Sequence, residues 1–385
     1  MLTLMRLLLA ATAVTLLMPL SVQADDRTEC TAGISKLRNQ VAANPPADKL
    51  KDLQATLRKA EAESRRREFD DCVRVLKTSA GGGEAKDHDD YEGPETEDMF
   101  GFTTGTDVLD KGKFELSAEA IGSFGKREGR YRIGSLKNTL AFAPLEGLSI
   151  EIGVISNGYS VQGVPGLDDR SGAGFGGLSA EVKYRLVKRT EATPVGVTFI
   201  VEPGLRFRND EGERGSGLGI ETRLAFDTAL VKDKIFAGLN LIYEAEKFRP
   251  RQRILFNAQG EPIEGPPSCA TGNDESCPVL SRRAPAERES EIGISGALAF
   301  QAFQNVFLGG EVRYMRAYEG LRLQRYEGNA VFIGPTFYAK LSEQITISAA
   351  FSTQVAGRSV DSPDRSLDLD NFSRHQAKLK VSYEF

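Results

Sequence analysis

The sequence of 385 residues contains no tryptophan and only two histidines, and its 49 basic residues are outnumbered by 54 acidic ones. A net charge of −5 argues against a nucleic-acid partner, because proteins of that class carry a basic face. Beyond residue 20 the chain has no apolar run of the length that a membrane-spanning helix needs. The lack of such a run does not exclude a transmembrane β-barrel, because only one face of each barrel strand meets lipid.

Residues 1–24 have the pattern of a secretory signal peptide. Arg6 supplies a positive start, the stretch from Leu7 to Leu20 is apolar, and Val22-Gln23-Ala24 forms a small-x-small cleavage site. Export would place the mature chain in an oxidising compartment, where its four cysteines can pair.

Residues 25–80 predict a small helical module. Apolar residues recur at helical spacing in three patches: Ile34, Leu37 and Val41; Leu50, Leu53, Leu57 and Ala60; Phe69, Val73 and Leu76. If the last two patches formed one helix, Cys30 and Cys72 would differ in height by roughly 15 Å, which is too far for a disulfide. We therefore expect a break near residues 64–67, three short helices and a Cys30–Cys72 bond. The module is a periplasmic contact module or a structural appendage, with nothing in its sequence to decide.

Residues 81–112 predict a linker followed by a pre-barrel segment. The linker is rich in glycine and acidic residues. We interpret His88, which lies among Asp87, Asp89 and Asp90, as part of a solvated charge run rather than of a metal site. The stretch from Met99 to Val108 is different, because its apolar side chains must be buried. Two placements remain open: a partial plug inside the barrel, or packing under its rim.

Residues 113–385 contain twelve segments in which apolar and polar residues alternate. In the last of them Ala377, Leu379, Val381, Tyr383 and Phe385 occupy the odd positions, with polar residues between them. Beyond the first hairpin, each odd-numbered connection is longer than the even-numbered ones beside it. A β-sandwich has no reason for that rhythm, whereas outer-membrane barrels have short periplasmic turns and longer outer loops. The sequence predicts an all-β fold: a transmembrane antiparallel up-and-down β-barrel of about 12 strands, with a small N-terminal helical module.

Two stretches resemble known proteins. The strand with Tyr383 and Phe385 resembles the closing strand of bacterial outer-membrane barrels, whose C-terminal Phe is read by the barrel-assembly machinery. The Phe100-Gly101-Phe102-Thr103 segment resembles one that precedes the barrel in a group of proteobacterial outer-membrane proteins, mostly described as transporters or uncharacterised. The resemblance implies a place in the bacterial outer membrane, with lipid and the assembly machinery as partners. It implies no substrate.

The polar faces of the strands predict a lumen lined by both signs of charge. The candidates for lumen-facing residues are Glu115, Glu119, Glu151, Glu181, Lys183, Arg185, Glu202, Arg206, Glu221, Arg223, Asp227, Glu291, Glu311, Arg313, Lys340, Lys378 and Lys380. Such a lumen is either a wet solute channel or an interior filled by salt bridges, and twelve strands do not decide between them. We favour a passive channel or transporter for small solutes. The alternative is a non-conducting structural or adhesion barrel that contacts a periplasmic, cell-wall or surface partner through the helical module and the outer loops.

The longest connection, about 248–289, contains Cys269 and Cys277 in a proline-rich stretch without histidine. We expect these two cysteines to form a local disulfide rather than a metal site. A hydrolase is the least favoured function. Ser373 and His375 are two residues apart, as in one barrel phospholipase type, but their order is Ser-Arg-His and no orienting amide or carboxylate can be placed beside them. We expect no catalytic residues, no cofactor and no metal.

Overall fold

The computed structural model describes residues 22–43, 47–66, 69, 72–73, 75–76, 93–190, 192–209, 212–251, 253–256, 262–263 and 280–385. The chain divides into two compact units, residues 1–88 and 89–385. The division falls inside the predicted linker, so that the pre-barrel segment belongs to the same unit as the barrel. Residues 1–21 of the predicted signal peptide, His88 of the linker and the Cys269–Cys277 pair lie outside the described residues.

The first unit contains helices α1 (Val22–Ala42) and α2 (Ala47–Arg66), and Phe69, Cys72–Val73 and Val75–Leu76 are also helical. A disulfide joins Cys30 to Cys72, whose Cα atoms are 5.6 Å apart, as predicted. Cys30, Ile34, Ala60, Cys72 and Val73 form the buried core of the unit. Because α2 ends at Arg66, the chain beyond it can pack back onto α1. None of the described helices is long and apolar enough to span a membrane.

The second unit is a closed antiparallel barrel of twelve strands, which confirms the predicted fold class. Each barrel strand pairs with the next barrel strand along the chain, and the last pairs with the first. The barrel strands are β1 (Phe114–Phe124), β2 (Arg130–Leu145), β3 (Leu148–Gln162), β4 (Arg170–Val187), β5 (Val195–Arg208), β6 (Arg214–Val231), β7 (Ile235–Pro250), β11 (Glu287–Phe303), β12 (Val306–Glu319), β13 (Arg325–Lys340), β14 (Ile345–Ser359) and β15 (His375–Glu384). Between β7 and β11 the chain forms a small separate sheet of β8 (Arg253–Phe256), β9 (Pro262–Ile263) and β10 (Leu280–Arg283), which the sequence did not predict.

The alternation in the sequence becomes an apolar outside and a polar inside. On β3, for example, Ile150, Ile152 and Val154 are exposed on the outer face, whereas Ser149 and Glu151 are buried on the inner one. The same inversion of the usual soluble pattern recurs on the other barrel strands. A continuous outward surface of leucine, isoleucine, valine and phenylalanine follows from it, and such a surface needs an apolar surrounding.

We call the end where β1 begins and β15 ends the terminal end, and the opposite end the loop end. Connections at the terminal end include the tight turns 146–147 and 304–305, whereas 251–286 and 360–374 lie at the loop end. The predicted rhythm of lengths is wrong at one place. The terminal-end connection 188–194 is as long as 163–169 and longer than 209–213, because the flanking strands extend further at the loop end than their pattern indicates.

Candidate functional site in the barrel lumen

Residues 95–109, which we call the lumen segment, lie inside the barrel. Thr96, Met99, Phe100, Thr103 and Thr106 are at most 1% exposed although none belongs to a barrel strand. Contacts of the segment extend around the wall from β4, where Lys183 binds Glu97, to β15, where Lys380 binds Asp98. The sequence left two placements open for this segment, and the structure places it inside the barrel as a plug.

Glu311 on β12 holds the centre of the lumen segment. Its carboxylate accepts hydrogen bonds from the backbone N–H groups of Phe102 and Thr103, both at 3.1 Å. The other carboxylate oxygen accepts a bond from the hydroxyl of Ser352 at 2.9 Å. Because Glu311 is only 2% exposed, these donors replace the water that its charge has lost.

Asp227 on β6 holds the two flanks of the lumen segment together. One oxygen accepts hydrogen bonds from the Thr106 N–H at 2.7 Å and from the Thr96 hydroxyl. The other oxygen pairs with the guanidinium of Arg189, which also contacts Asp107 at 3.1 Å. Arg189 comes from the long connection 188–194, so this turn reaches into the lumen and closes an ion-paired cluster there.

Further strands bind the backbone of the lumen segment through side chains. The Thr198 hydroxyl on β5 donates to the carbonyl of Thr106 at 2.6 Å. Arg223 on β6 donates to the carbonyl of Phe102 at 3.2 Å. The Thr103 hydroxyl donates to the hydroxyl of Ser295 on β11 at 2.9 Å. The segment's polar backbone is therefore satisfied by the wall, which a buried irregular stretch requires.

Towards the terminal end the lumen segment is anchored by apolar packing. Met99 and Phe100 form a buried cluster with Phe236, Phe307 and Tyr338 of the wall. A Cβ atom at Gly238 would lie 2.8 Å from the ring of Phe100, so this wall position has no room for a side chain. On the other side, the guanidinium of Arg313 lies 4.0 Å from the ring centroid of Phe102, which is a close cation–π contact.

The acidic start of the lumen segment pairs with lysines near the terminal rim. Glu97 contacts Lys183, Asp98 contacts Lys380 at 2.8 Å, and Glu95 contacts Lys340 at 3.2 Å. Three of the predicted lumen lysines therefore bind this segment. Arg185, another predicted lumen residue, does not bind the segment in this way: it lies at the rim and pairs with Glu146 of the adjacent turn at 2.6 Å.

Most other predicted lumen residues are paired with one another along the inner wall. The described ion pairs are Lys378 with Glu119, Lys380 with Glu115, Lys183 with Glu181, Arg223 with Glu221, Arg313 with Glu311 and Arg206 with Glu246. Glu151 and Glu202 share Lys137, at 3.2 and 2.7 Å. Glu291 lies on the inward face of β11, four residues before Ser295. The prediction missed Lys137 because its strand, β2, alternates least regularly.

The loop end is narrowed by the connection 360–374, which folds inward. Phe372 is buried against the inward-facing Phe332, their ring centroids 6.2 Å apart, and Leu369 is buried with it. Asp368 in this loop accepts a hydrogen bond from the backbone N–H of Asn371 at 3.0 Å. Burial raises the pKa of Asp368, and the bonds from Asn371 oppose that effect. Both ends of the lumen are thus occupied by parts of the chain that are not strands.

Ser373 and His375 do not form a catalytic pair in this geometry. The Ser373 hydroxyl donates to the backbone carbonyl of His375 at 3.3 Å, not to its ring. The ring's Nδ1 instead contacts the hydroxyl of Thr353 at 3.0 Å, and the ring stacks on Phe351. A serine whose hydroxyl is not bonded to the imidazole has no base to activate it.

A model for a family of unknown function, DUF6662, matches residues 93–385, from just before the lumen segment to the end of the barrel. The chain belongs to this family. The match leaves out the helical module, whereas the lumen segment and the barrel are described by one family pattern. No curated protein matches the chain.

Several solved structures resemble this DUF6662 protein in fold. The COG4313 outer membrane channel from Pseudomonas putida F1 is 13% identical with a TM-score of 0.44, covering 73% of this chain and 98% of its own. The NanC porin is 11% identical with a TM-score of 0.37, over 70% of this chain and 98% of its own. The translocator domain of the autotransporter NalP from Neisseria meningitidis is 13% identical with a TM-score of 0.38, over 71% and 90%. Similarity at this level carries no function over to the DUF6662 chain.

Proposed function

We propose that this protein is an outer-membrane channel for small polar solutes, closed by its own lumen segment in the state described here. The single observation that carries the proposal is that the obstruction is not part of the barrel wall. The closed ladder of twelve strands uses no backbone group of residues 95–109. The segment can therefore leave the lumen without breaking one inter-strand hydrogen bond.

The outward surface supports the location. Large apolar side chains on every barrel strand are more than a third exposed, among them Leu116, Ile152, Leu218, Leu298 and Phe351. In water such a surface would aggregate, whereas lipid covers it at no cost. Closure of the barrel removes the strand edges that a membrane does not tolerate. By the usual arrangement of outer-membrane barrels, the terminal end faces the periplasm and the loop end faces the outside.

The nature of the contacts supports displacement of the segment. Most are hydrogen bonds and ion pairs, which water can replace when the lumen opens. A neutral hydrogen bond contributes only about 0.5–1.5 kcal/mol net, and one to a charged group about 1.5–3 kcal/mol. Once the segment has left, the wall behind it presents Asp227, Asn240, Glu311 and Arg223, all of them polar. A hydrated interior with both signs of charge suits small polar solutes, and it names none.

The second candidate is a non-conducting barrel in which the segment is a permanent core. Steric fit favours it: added Cβ atoms at Gly105, Gly196 and Gly238 would each lie within 2.8 Å of an atom of the lumen segment. The protein would then act as an anchor whose helical module and outer loops contact a cell-wall or surface partner. Neither candidate assigns a catalytic role to Ser373 or His375.

A disulfide lock separates the two candidates. The hydroxyl oxygens of Thr103 and Ser295 are 2.9 Å apart, so the double variant Thr103→Cys/Ser295→Cys places two thiols in bonding reach. In planar bilayers we expect openings from the wild type, none from the oxidised double variant, and recovery after dithiothreitol. The single variant Thr103→Cys and reduced wild type are the controls, because the reductant also cleaves Cys30–Cys72.

Two results would reject the channel or its gate. The channel function would be rejected, and the anchor function favoured, if neither the wild type nor a folded variant lacking residues 95–108 conducted current in planar bilayers. Openings that persist after the cross-link has been verified by mass spectrometry would show that ions pass beside the segment, which would then not be a gate.

A further inference from the structure

Cations that have no salt-bridge partner among the described residues lie near the loop end, on the outer faces of β7, β11, β12 and β14. We call Lys247, Arg249, Arg288, Arg316 and Arg358 the cationic wall. Each lies within four residues of its strand's loop end, and register places each on the face that carries the exposed leucines and isoleucines. Among the described residues, no carboxylate forms a salt bridge with any of the five.

Two like charges of the wall are direct neighbours. Arg288 on β11 is the ladder partner of Lys247 on β7, and Arg249 follows on the same face of β7. Like charges opposite each other across a strand pair are destabilising unless an anion lies between them. The same two strands turn their acidic residues Glu244, Glu246, Glu289 and Glu291 to the inner face. The strands thus separate charge by face, with acids inward and bases outward.

A second row crosses three strands. Arg316 on β12, Asn329 on β13 and Arg358 on β14 are successive ladder partners, which gives a line of donors on the outward face. The guanidinium of Arg316 lies 5.4 Å from the ring centroid of Tyr318 and 4.8 Å from that of Tyr326. Its Nε atom is buried and has no hydrogen-bond partner. The aromatic pair holds this guanidinium in place, so that an anion finds it already oriented.

We propose that the cationic wall binds the phosphate groups of lipid headgroups in the outer leaflet. The inference rests on the proposed location and orientation in the outer membrane, but not on conduction. The position decides the class of ligand: a side chain on the lipid-facing side, at the end of the apolar band, meets headgroups rather than solutes of the lumen. Guanidinium groups bind phosphate in a bidentate manner, and a row of them suits a lipid that bears more than one phosphate.

The test compares lipid A carrying two phosphates with the same lipid after dephosphorylation. Full-length protein in neutral detergent is titrated with each lipid, and the temperature at which the folded band is lost on gels is recorded. We expect phosphorylated lipid A to raise that temperature and the dephosphorylated lipid to leave it unchanged. In Arg316→Gln/Arg358→Gln the apparent affinity falls roughly 30-fold, since each cation near an anionic headgroup contributes about fivefold.

The control removes two positive charges elsewhere at the loop end. Arg365→Gln/Arg170→Gln lies outside the wall, and Arg170 is already paired with Asp168 at 2.8 Å. This variant keeps the wild-type affinity if the wall is the site. An equal loss in both double variants, an equal response to the dephosphorylated lipid, or an equal shift by inorganic phosphate would each overturn the proposal. Because no step measures current, a silent channel leaves the result intact.

Discussion

The carboxamide of Asn240 binds both backbone groups of Thr104. The Thr104 N–H donates to Oδ1 of Asn240, and Nδ2 of Asn240 donates to the Thr104 carbonyl, each at 2.8 Å. Asn240 is fully buried on β7. The Asn240 side chain thus makes with Thr104 the two hydrogen bonds that the backbone of a neighbouring strand would make, although the segment adds no strand to the barrel.

Asn240→Asp should loosen the lumen segment. A carboxylate accepts from the Thr104 N–H but cannot donate to its carbonyl, which then faces a negative charge without a partner. Such a loss costs about 1–3 kcal/mol. Hydrogen exchange of the amides of residues 102–106 should therefore be faster in the full chain. Asn157→Asp is the control, since Asn157 is also buried on the inner face and its Oδ1 accepts no hydrogen bond from the described residues. Equal exchange in the two variants would contradict the assigned role of Asn240.

Gly105→Ala should prevent the lumen segment from folding as observed. An added Cβ atom would lie 2.1 Å from the carbonyl oxygen of Thr96, and the Gly105 N–H bonds Glu97 across the same bend. Overpacking of this kind costs about 1–3 kcal/mol. We expect faster proteolytic cleavage within residues 93–109 while the barrel stays intact. At Gly134 an added Cβ meets its nearest atom at 3.7 Å, so Gly134→Ala should be cleaved like the wild type.

Phe385→Ala should impair closure of the barrel. Phe385 and Phe114 exchange two backbone hydrogen bonds at 2.9 and 3.0 Å, and the Phe385 ring stacks on those of Phe114 and Tyr383. Each aromatic contact contributes about 0.5–1.5 kcal/mol. The yield of folded barrel after refolding should fall, while the conductance of the folded fraction is unchanged. Phe300→Ala removes an equally exposed ring away from the seam, and an equal loss of yield there would argue against a seam effect.

Cys72→Ser should destabilise the helical module without affecting the barrel. The Cys30–Cys72 bond lies in the buried core of that unit, and loss of a native disulfide from a small domain costs about 2–5 kcal/mol. The helical circular-dichroism signal should melt at a lower temperature, and the folded barrel should run on gels as before. Reduced wild type should behave like the variant. A barrel that melts together with the helices would contradict the division into two units.

The strands follow from the sequence because their signal is local. Leu379, Val381 and Tyr383 alternate with Lys380 and Ser382. Because successive side chains of a strand point to opposite faces, the face of every residue is known once the face of one is known. The same holds for Glu151 between Ile150 and Ile152. Where alternation is weak, as on β2, the inward lysine Lys137 was missed.

Contacts that join distant parts of the chain were beyond the sequence. Arg189 lies in a turn, yet its guanidinium pairs with Asp227, 38 residues further along. No spacing rule predicts that reach, because it depends on how far the turn leans into the lumen. Likewise the inward fold of 360–374 depends on the space that Phe332 leaves at the loop end.

The sequence by itself determined that this chain forms a closed barrel with an apolar outside, because period-two patterning is a property of neighbouring residues. It also showed that Phe100, Phe102 and Val108 must be buried. Only the tertiary structure decided that they lie within the lumen: that outcome depends on the width of twelve closed strands and on two buried acceptors, Asp227 on β6 and Glu311 on β12, that bind the segment's N–H groups.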